Sequence, residues 1–234
     1  MTSILFILSS HSRLGSTGQA TGAWLEELAA PYWVLVDAGI EVRLASPQGG
    51  AAPLDPMSVE DPWITEDGRR FLDDSGAKAA IAATARLDEL ADQAFDGVYL
   101  VGGSATTWDF PHSEALKARV EAQFAGGGVI GAICHGVIGL VRAVDAHGEP
   151  IVKNRQLTGI SDAEDAMMGL DKIVPVLPET MLRKLRALYS SAAPLAEHVV
   201  CDPPFITGQN PASAKLLGEK ILQHVQARTP TVSE

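Results

Sequence analysis

One stretch decides the fold of this chain, GGGVIGAICHGVIGLV at residues 126–141. Val129 to Ile133 is a short apolar run, which is typical of a strand buried on both faces of a parallel sheet. After Cys134 the apolar residues recur at helical spacing, with one buried side. A sharp turn from strand to helix is therefore predicted at Cys134.

Cys134 is the first candidate for a reactive side chain. Ala132 and Gly136 flank it with small side chains, as a nucleophile elbow requires, because bulky neighbours would collide at a strained turn. A helix N-terminus also favours a thiolate, so Cys134 is expected to ionise more readily than a free thiol. An isolated cysteine in an apolar run is more often a core residue. The change of period and the adjacent His135 favour a nucleophile instead.

The glycines before this strand suggest a nucleotide site at first sight. Gly126, Gly128 and Gly131 satisfy the spacing G-x-G-x-x-G, but that motif binds a dinucleotide only where it follows a strand and opens a helix. Here the glycines precede the strand, where they end a helix and turn the chain. A nicotinamide site is rejected, and no cofactor is expected.

The composition narrows the possible partners. The 234 residues carry 18 Lys and Arg against 29 Asp and Glu, a net charge of -11 that disfavours nucleic acid and anionic membranes. No segment reaches the roughly 18 apolar residues of a membrane span. Cys134 and Cys201 make no disulfide framework, and the N-terminus lacks the features of a secretory signal, so a cytoplasmic setting is expected.

Two smaller expectations concern the cysteines. No metal site is predicted, because Cys134 and His135 are adjacent and no spaced cluster of ligands joins them. Cys201 lies on an apparent strand, and we interpret it as a packing residue.

The rest of the chain alternates apolar runs with amphipathic segments, which indicates an α/β fold. Strands are predicted at residues 3–9, 41–46, 97–101 and 129–133, with a hairpin at 199–207. Helices are predicted at residues 24–38, 79–92, 111–124, 162–168 and 211–226. Pro31 predicts a kink or a restart in the first of these helices.

One long segment lacks this periodicity. Residues 47–78 are rich in proline and acidic side chains, and they are predicted to form an irregular, lid-like excursion anchored by Trp63 and Phe71. No domain linker is evident, so residues 1–228 are interpreted as one domain and residues 229–234 as a flexible tail.

Several blocks of sequence carry a likeness to a known family. They are Thr21–Tyr32, Ala45–Gly50, Leu54–Pro56, Val101–Gly103, Trp108–Asp109, Ala132–Gly136, Leu157–Gly159 and Ile206–Ser213. In this order they resemble the ThiJ/PfpI branch of the class I glutamine amidotransferase-like superfamily. Within that branch the chain is similar to the glutathione-independent glyoxalases, or glyoxalase III, and to their chaperone-like relatives.

The resemblance implies a flavodoxin-like three-layer sandwich with a mostly parallel central sheet, helices on both faces and a nucleophile elbow. It implies that Cys134 is the nucleophile and that His135 lies beside it. The acidic residue that orients His135 is expected to be Glu164, with Asp165 as the second choice. Glu27 is expected to reach over from the first helix and share a proton with the Cys134 sulfur.

The resemblance also implies a substrate site at the end of the strand at 97–101. Backbone N–H groups near Gly103 and His135 would form an oxyanion hole, and Ser104 and Trp108 would contact the substrate. Relatives commonly carry Gly-Gly-His-Gly at this turn, whereas this chain has Gly103-Ser104-Ala105. A small hydroxyl therefore replaces a histidine, which puts substrate choice and rate in question while the backbone donors can remain.

The function that follows is water-dependent conversion of a 2-oxoaldehyde, such as methylglyoxal, to a 2-hydroxy acid. The enzyme would be a lyase of the D-lactate dehydratase type, acting without glutathione through a Cys134 hemithioacetal. The expected partners are a small reactive carbonyl compound and a second copy of the chain in a homodimer. The alternatives are a Cys-His amidase or peptidase, and a non-enzymatic stress chaperone or redox sensor in which Cys134 oxidises.

Overall fold

Parallel strands form the centre of the molecule in this computed structural model, which describes residues 2–228. The strands are β1 (Ser3–Ile7), β2 (Glu41–Ser46), β3 (Ala85–Arg86), β4 (Gly97–Leu100), β5 (Val129–Ile133), β6 (Gln156–Leu157), β7 (Leu188–Tyr189), β8 (Val199–Asp202) and β9 (Phe205–Gly208). Seven of them form one sheet in the order β3-β2-β1-β4-β5-β9-β8, while β6 and β7 pair separately. Only β8, at the edge of the large sheet, runs antiparallel to its neighbour.

Helices cover both faces of the large sheet. They are α1 (Leu25–Asp37), α2 (Glu66–Asp73), α3 (Ser75–Ala82), α4 (Thr106–Asp109), α5 (Glu114–Ala125), α6 (Asp162–Met167), α7 (Pro178–Lys184) and α8 (Ala214–Arg228). The side chains of β1 alternate between two cores, because successive residues of a strand point to opposite faces. Phe6 packs with Leu28 of α1 and Ile221 of α8, whereas Leu5 packs in the second core with Leu116 of α5. The predicted three-layer α/β sandwich is confirmed.

The segment at residues 47–78 is more regular than its composition predicted. It contains a 3₁₀ helix at Pro56–Val59 together with α2 and the first half of α3. The side chains of Asp55, Thr65 and Asp74 accept hydrogen bonds from Met57, Gly68 and Ala77, and so cap the three helices. Such caps start helices too short for a clear apolar period. The segment is therefore partly helical rather than irregular throughout, and its lid-like role stays a prediction.

Other element boundaries differ from the predictions. The helix predicted at residues 79–92 is instead the end of α3, the short strand β3 and a 3₁₀ helix at Leu87–Leu90. Helix α1 continues through Pro31 without a restart. After Cys134 the chain forms a 3₁₀ helix, Cys134–Leu140, rather than an α-helix.

The remaining predictions concern the ends of the chain and its surroundings. The tail predicted at residues 229–234 lies outside the described residues. Within residues 2–228, no helix is both long and apolar enough to cross a membrane. Cys201 lies on β8 as predicted, but its side chain is exposed rather than packed.

Candidate active site

Cys134 lies directly after β5, where the strand gives way to the 3₁₀ helix. Its φ of 54° falls in the left-handed region, which non-glycine residues rarely adopt and which costs energy that the surrounding fold must supply. The side chain is 5% exposed. The strained, enclosed turn predicted from the sequence is therefore present.

His135 connects the thiol to a carboxylate. Its Nδ1 lies 3.4 Å from Cys134 Sγ, and its Nε2 lies 2.8 Å from Asp165 Oδ1. Because a carboxylate oxygen accepts, Nε2 carries the proton and Nδ1 presents its lone pair to the thiol. The expected partner, Glu164, does not occupy this position. Asp165, the second choice, contacts His135.

Glu164 is held by a separate set of donors. Its carboxylate accepts hydrogen bonds from the backbone N–H and hydroxyl of Ser161, the backbone N–H of Leu195, and the side-chain amides of Gln209 and Asn210. Burial alone would raise the pKa of Glu164, but the hydrogen bonds, that from Asn210 foremost, outweigh it and lower the pKa below its usual range. Ser161 and Glu164 also form a capping box at the start of α6, which explains why Glu164 points away from His135.

Glu27 reaches the thiol from the first turn of α1. Tyr99 of β4 donates its hydroxyl to the Glu27 backbone carbonyl at 2.6 Å and so fixes this turn against the sheet. The carboxyl group faces Cys134, and neither oxygen has a partner of full hydrogen-bond geometry among the described residues. Burial raises the pKa of Glu27 to about 8, with the thiol contact as an opposing, smaller influence.

Gly102 makes this approach possible. A Cβ at Gly102 would lie 2.1 Å from Glu27 Oε2 and 2.9 Å from Cys134 Cβ, so any side chain there would displace one of the two groups. Gly102 follows β4 by two residues, and its carbonyl accepts a hydrogen bond from the backbone N–H of Trp24, the residue before α1. The end of β4 therefore brings α1 to the thiol.

The environment of Cys134 corrects the expected acidity of its thiol. Burial and the neighbouring Glu27 carboxyl raise the pKa of Cys134 well above its ordinary value, and the backbone N–H of His135 only partly opposes them. The expectation of a readily ionised thiol is therefore wrong, because burial and a nearby carboxyl outweigh the favourable field of a helix start. Cys134 holds its proton until a base removes it.

The turn after β4 also contributes Gly103 and Ser104 to the lining of the site. Gly103 has a φ of 107°, and a Cβ there would lie 2.3 Å from the Gly22 carbonyl, so the position requires glycine. Ser104 Oγ lies 2.8 Å from Thr21 Oγ1, and Thr21 donates to Asp55 Oδ2 at 3.0 Å. Because Thr21 gives its proton to Asp55, Ser104 donates to Thr21 and is one end of a short chain of hydrogen bonds that ends on the Asp55 carboxylate.

A cavity of about 500 Å³ brings these groups together. Of the residues predicted from the sequence, it is lined by Glu27, Gly103, Ser104, Cys134, His135 and Glu164. Trp108 is not among its lining residues. Trp108 stacks on His11 instead, with 5.1 Å between ring centroids.

Sequence reasoning missed several residues of the cavity. Trp24 and Trp63 supply its aromatic wall, and Asp55 and Asn210 add polar groups. Asp55 and Asn210 lie inside sequence blocks that carried the family likeness, which was a usable signal. Trp63 was assigned only as an anchor of its segment. Among residues 2–228, no group of three His, Cys, Asp or Glu side chains is arranged to hold a metal ion.

The sequence of this chain is similar to that of known proteins along most of its length. A model of the DJ-1/PfpI family matches residues 20–224. The glutathione-independent glyoxalase hsp3101 of Schizosaccharomyces pombe is 27% identical, over 97% of this chain and 98% of that protein. Glyoxalase 3 of Candida albicans is 26% identical, over 95% of this chain and 98% of that protein.

Solved structures show the same likeness in three dimensions. The Rapid Encystment Protein 24 KDa of Francisella tularensis superposes with a TM-score of 0.92 and is 35% identical, covering 96% of this chain and 99% of that one. Glyoxalase III of Candida albicans superposes with a TM-score of 0.87 at 26% identity, covering 95% of this chain and 96% of that one.

Proposed function

Because the chain belongs to the DJ-1/PfpI family, we propose that it is a glutathione-independent glyoxalase, like the named glyoxalases to which it is similar along its length. As a lyase of the glyoxalase III, or D-lactate dehydratase, type, it converts a 2-oxoaldehyde such as methylglyoxal, with water, to a 2-hydroxy acid. The observation that carries this proposal is the buried Glu27 carboxyl facing the Cys134 thiol. The reaction needs such a group, since a proton leaves one substrate carbon and returns to its neighbour.

The first step is addition of the thiol to the aldehyde. Cys134 Sγ bonds to the aldehyde carbon as the C=O π bond breaks, and His135 Nδ1 takes the thiol proton. Asp165 stabilises the transient imidazolium and keeps the ring in the required tautomer. The proton then passes to the new alkoxide oxygen, which gives a hemithioacetal. The raised pKa of the thiol makes a nearby base necessary.

The second step is proton transfer between the two substrate carbons. Glu27, as a carboxylate, removes the proton from the hemithioacetal carbon, and the electrons of that bond form a C=C bond to the neighbouring carbon. The hydroxyl proton on the first carbon passes to the former ketone oxygen, which gives an enediolate. The protonated Glu27 then returns the proton to the second carbon. The first carbon is thereby oxidised to a thioester and the second is reduced to a carbinol, so the step needs no external oxidant. Water cleaves the thioester, which releases the 2-hydroxy acid and restores the thiol.

Negative charge on the substrate oxygens requires donors. The backbone N–H groups of Gly103 and His135 are the proposed oxyanion hole. Ser104 lies beside Gly103 at the cavity wall, and its hydroxyl can contact the ketone oxygen in place of the family's histidine.

A Cys-His amidase or peptidase is the rival that one observation favours. The Cys134–His135–Asp165 line of hydrogen bonds is the arrangement that amide hydrolysis requires. Amide hydrolysis has no use, however, for the second carboxyl group that Glu27 brings to the sulfur. The non-enzymatic alternatives are a stress chaperone and a redox sensor. Neither would turn over an oxoaldehyde or an amide.

We also propose that the protein is a cytoplasmic homodimer. The family resemblance of the sequence implies a homodimer, and the two free cysteines suit a reducing compartment. Light scattering coupled to gel filtration measures the mass directly, and a monomer mass at all concentrations would contradict the dimer.

The test of the activity uses purified protein and methylglyoxal without glutathione. We expect lactate as the product by NMR, and Cys134→Ser, which keeps the shape of the side chain, should abolish turnover. Absence of lactate from the wild-type reaction, or unchanged lactate formation by Cys134→Ser, would exclude the proposed function. Release of ammonia from amide substrates by the wild type would favour the amidase.

A further inference from the structure

We propose that this site binds a 2-oxoaldehyde whose substituent is a neutral aromatic group, an aryl glyoxal rather than methylglyoxal alone. The inference rests on the proposed glyoxalase function and names the substrate class of that same site. It follows from the size of the cavity, from the side chains at its mouth and from the charges on its walls.

The cavity is larger than the reaction itself requires. Its volume is about 500 Å³, within the range of roughly 300–1,000 Å³ that is typical of pockets for drug-sized ligands. Methylglyoxal carries only a methyl group beyond its two carbonyl carbons. Once those carbons lie against Cys134, most of the cavity remains for a larger substituent.

One wall of the remaining space is aromatic. Trp24 and Trp63 meet edge to face, with 5.7 Å between ring centroids and 80° between ring planes. Trp24 is nearly buried, whereas Trp63 is 37% exposed and so presents indole surface toward the cavity mouth. A flat ring can join such a pair in the offset or edge-to-face geometry that aromatic groups prefer.

Flexible apolar side chains surround the mouth. Six large hydrophobic side chains among residues 2–228 are markedly exposed, and four of them, Met57, Trp63, Met168 and Leu195, line this cavity. Such concentration marks a binding groove rather than chance exposure. Methionine thioethers also make favourable contacts with aromatic rings, and Met57 and Met168 can adjust to one.

The charges on the walls exclude an anionic substituent. The described lining residues include Glu27, Asp55 and Glu164, but neither lysine nor arginine. A phosphate or carboxylate on the substrate would find no cationic partner there and would meet like charge from Glu164. The substituent is therefore both apolar and neutral.

The test compares kcat/KM for methylglyoxal and phenylglyoxal in matched variants. Met168→Ala and Trp63→Ala should each lower kcat/KM for phenylglyoxal about tenfold, the effect of one lost apolar contact, and should lower the methylglyoxal value by a smaller factor. Met167→Ala is the control, because Met167 is the adjacent and more exposed methionine but does not line the cavity. Met167→Ala should change neither substrate. The wild type should have a higher kcat/KM for phenylglyoxal than for methylglyoxal. A carboxylate at the para position of phenylglyoxal should abolish this preference.

The outcomes separate this inference from the function on which it rests. Normal methylglyoxal turnover, with equal effects of Met168→Ala on both substrates, would overturn the aromatic class and leave the glyoxalase intact. Turnover of neither aldehyde would overturn both. Inhibition of methylglyoxal turnover by an unfolded protein such as casein, together with no discrimination between the two aldehydes, would assign the apolar mouth to a polypeptide instead.

Discussion

Glu27 and Glu164 line the same cavity and are both fully buried, but the chain surrounds their carboxyl groups in opposite ways. Glu164 accepts five hydrogen bonds, which overcome the effect of burial and lower its pKa. Glu27 faces the Cys134 thiol and no donor of full geometry among residues 2–228, and burial raises its pKa to about 8.

The difference shows what decides the charge of a buried carboxyl group. Burial sets the free-energy cost of ionisation for both residues, and the supply of donors determines whether that cost is offset. Glu164 is consequently a charged anchor that joins α6 to the loops at 195 and 209–210. Glu27 keeps its proton at neutral pH and can exchange it, as an acid–base group must.

The largest expected effect is the loss of stability when Glu164 loses its charge. Glu164→Gln removes the negative charge and turns an amide donor toward the existing donors, so the free energy of unfolding should fall by about 3 kcal/mol or more. Glu27→Gln is the matched control, since the same change at a site without donors should cost far less at neutral pH. Urea denaturation of both variants measures the contrast, and equal losses would contradict it.

The second prediction concerns turnover. Glu27→Gln should still form the Cys134 adduct with methylglyoxal, because addition uses His135, but kcat should fall by roughly two or more orders of magnitude. Intact-protein mass spectrometry detects the adduct, and a lactate assay gives kcat. In deuterated water the wild type should place deuterium on the carbinol carbon of lactate. Near-normal kcat for Glu27→Gln, with protium alone at that carbon, would rule out proton transfer by Glu27.

The third prediction is a pH profile of the rate. Proton removal requires the Glu27 carboxylate, which is the minor form below its pKa of about 8. We therefore expect kcat to rise about tenfold per pH unit at lower pH and to level off above about 8. Stopped assays across this range would show it, and a rate that is flat from neutral to alkaline pH would not be compatible with a protonated Glu27.

The fourth prediction concerns stability as a function of pH, where the change within any one pH unit is small. Glu27 stays protonated in the folded protein up to about pH 8 but ionises in the unfolded chain above its usual value of 4.5. Unfolding thus releases a proton between pH 4.5 and pH 8. The contribution of the protonated Glu27 to stability is therefore full below pH 4.5 and is lost as the pH rises toward 8. The free energy of unfolding should fall by at most about 1.4 kcal/mol per pH unit relative to Glu27→Gln. If the free energies of unfolding of the two proteins change with pH in the same way across this range, the raised pKa of Glu27 is contradicted.

Much of the fold could be predicted from the sequence, because buried parallel strands leave apolar runs that local reasoning detects. The strands at 41–46 and 129–133 have the predicted bounds. The segment at 47–78 could not be predicted in this way, since its short helices depend on caps at Asp55, Thr65 and Asp74 rather than on an apolar period.

In the site, too, features that depend on neighbouring residues could be predicted, whereas features that depend on residues far apart in the sequence could not. Cys134 and His135 were evident from small neighbours and a change of period. Glu164 and Asp165 differ by about 100° around α6, so only one can face His135, and the capping box from Ser161 to Glu164 was a signal in the sequence that could have chosen between them. The raised pKa of Cys134 could not be predicted locally, because its causes are burial and Glu27, from a distant part of the chain.

Infrared difference spectroscopy tests the central claim most directly, since a protonated carboxyl group has a C=O stretch that a carboxylate lacks. We predict a buried carboxylic-acid band in the wild type at neutral pH that disappears with a midpoint near pH 8. The band that titrates near pH 8 should be absent from Glu27→Gln and present in Glu164→Gln. Burial also raises the pKa of Glu26, to about 7, so a second band with that lower midpoint should remain in both variants. No band with a midpoint near pH 8, or such a band that survives in Glu27→Gln, would contradict the account of Glu27 as the proton-carrying group of this site.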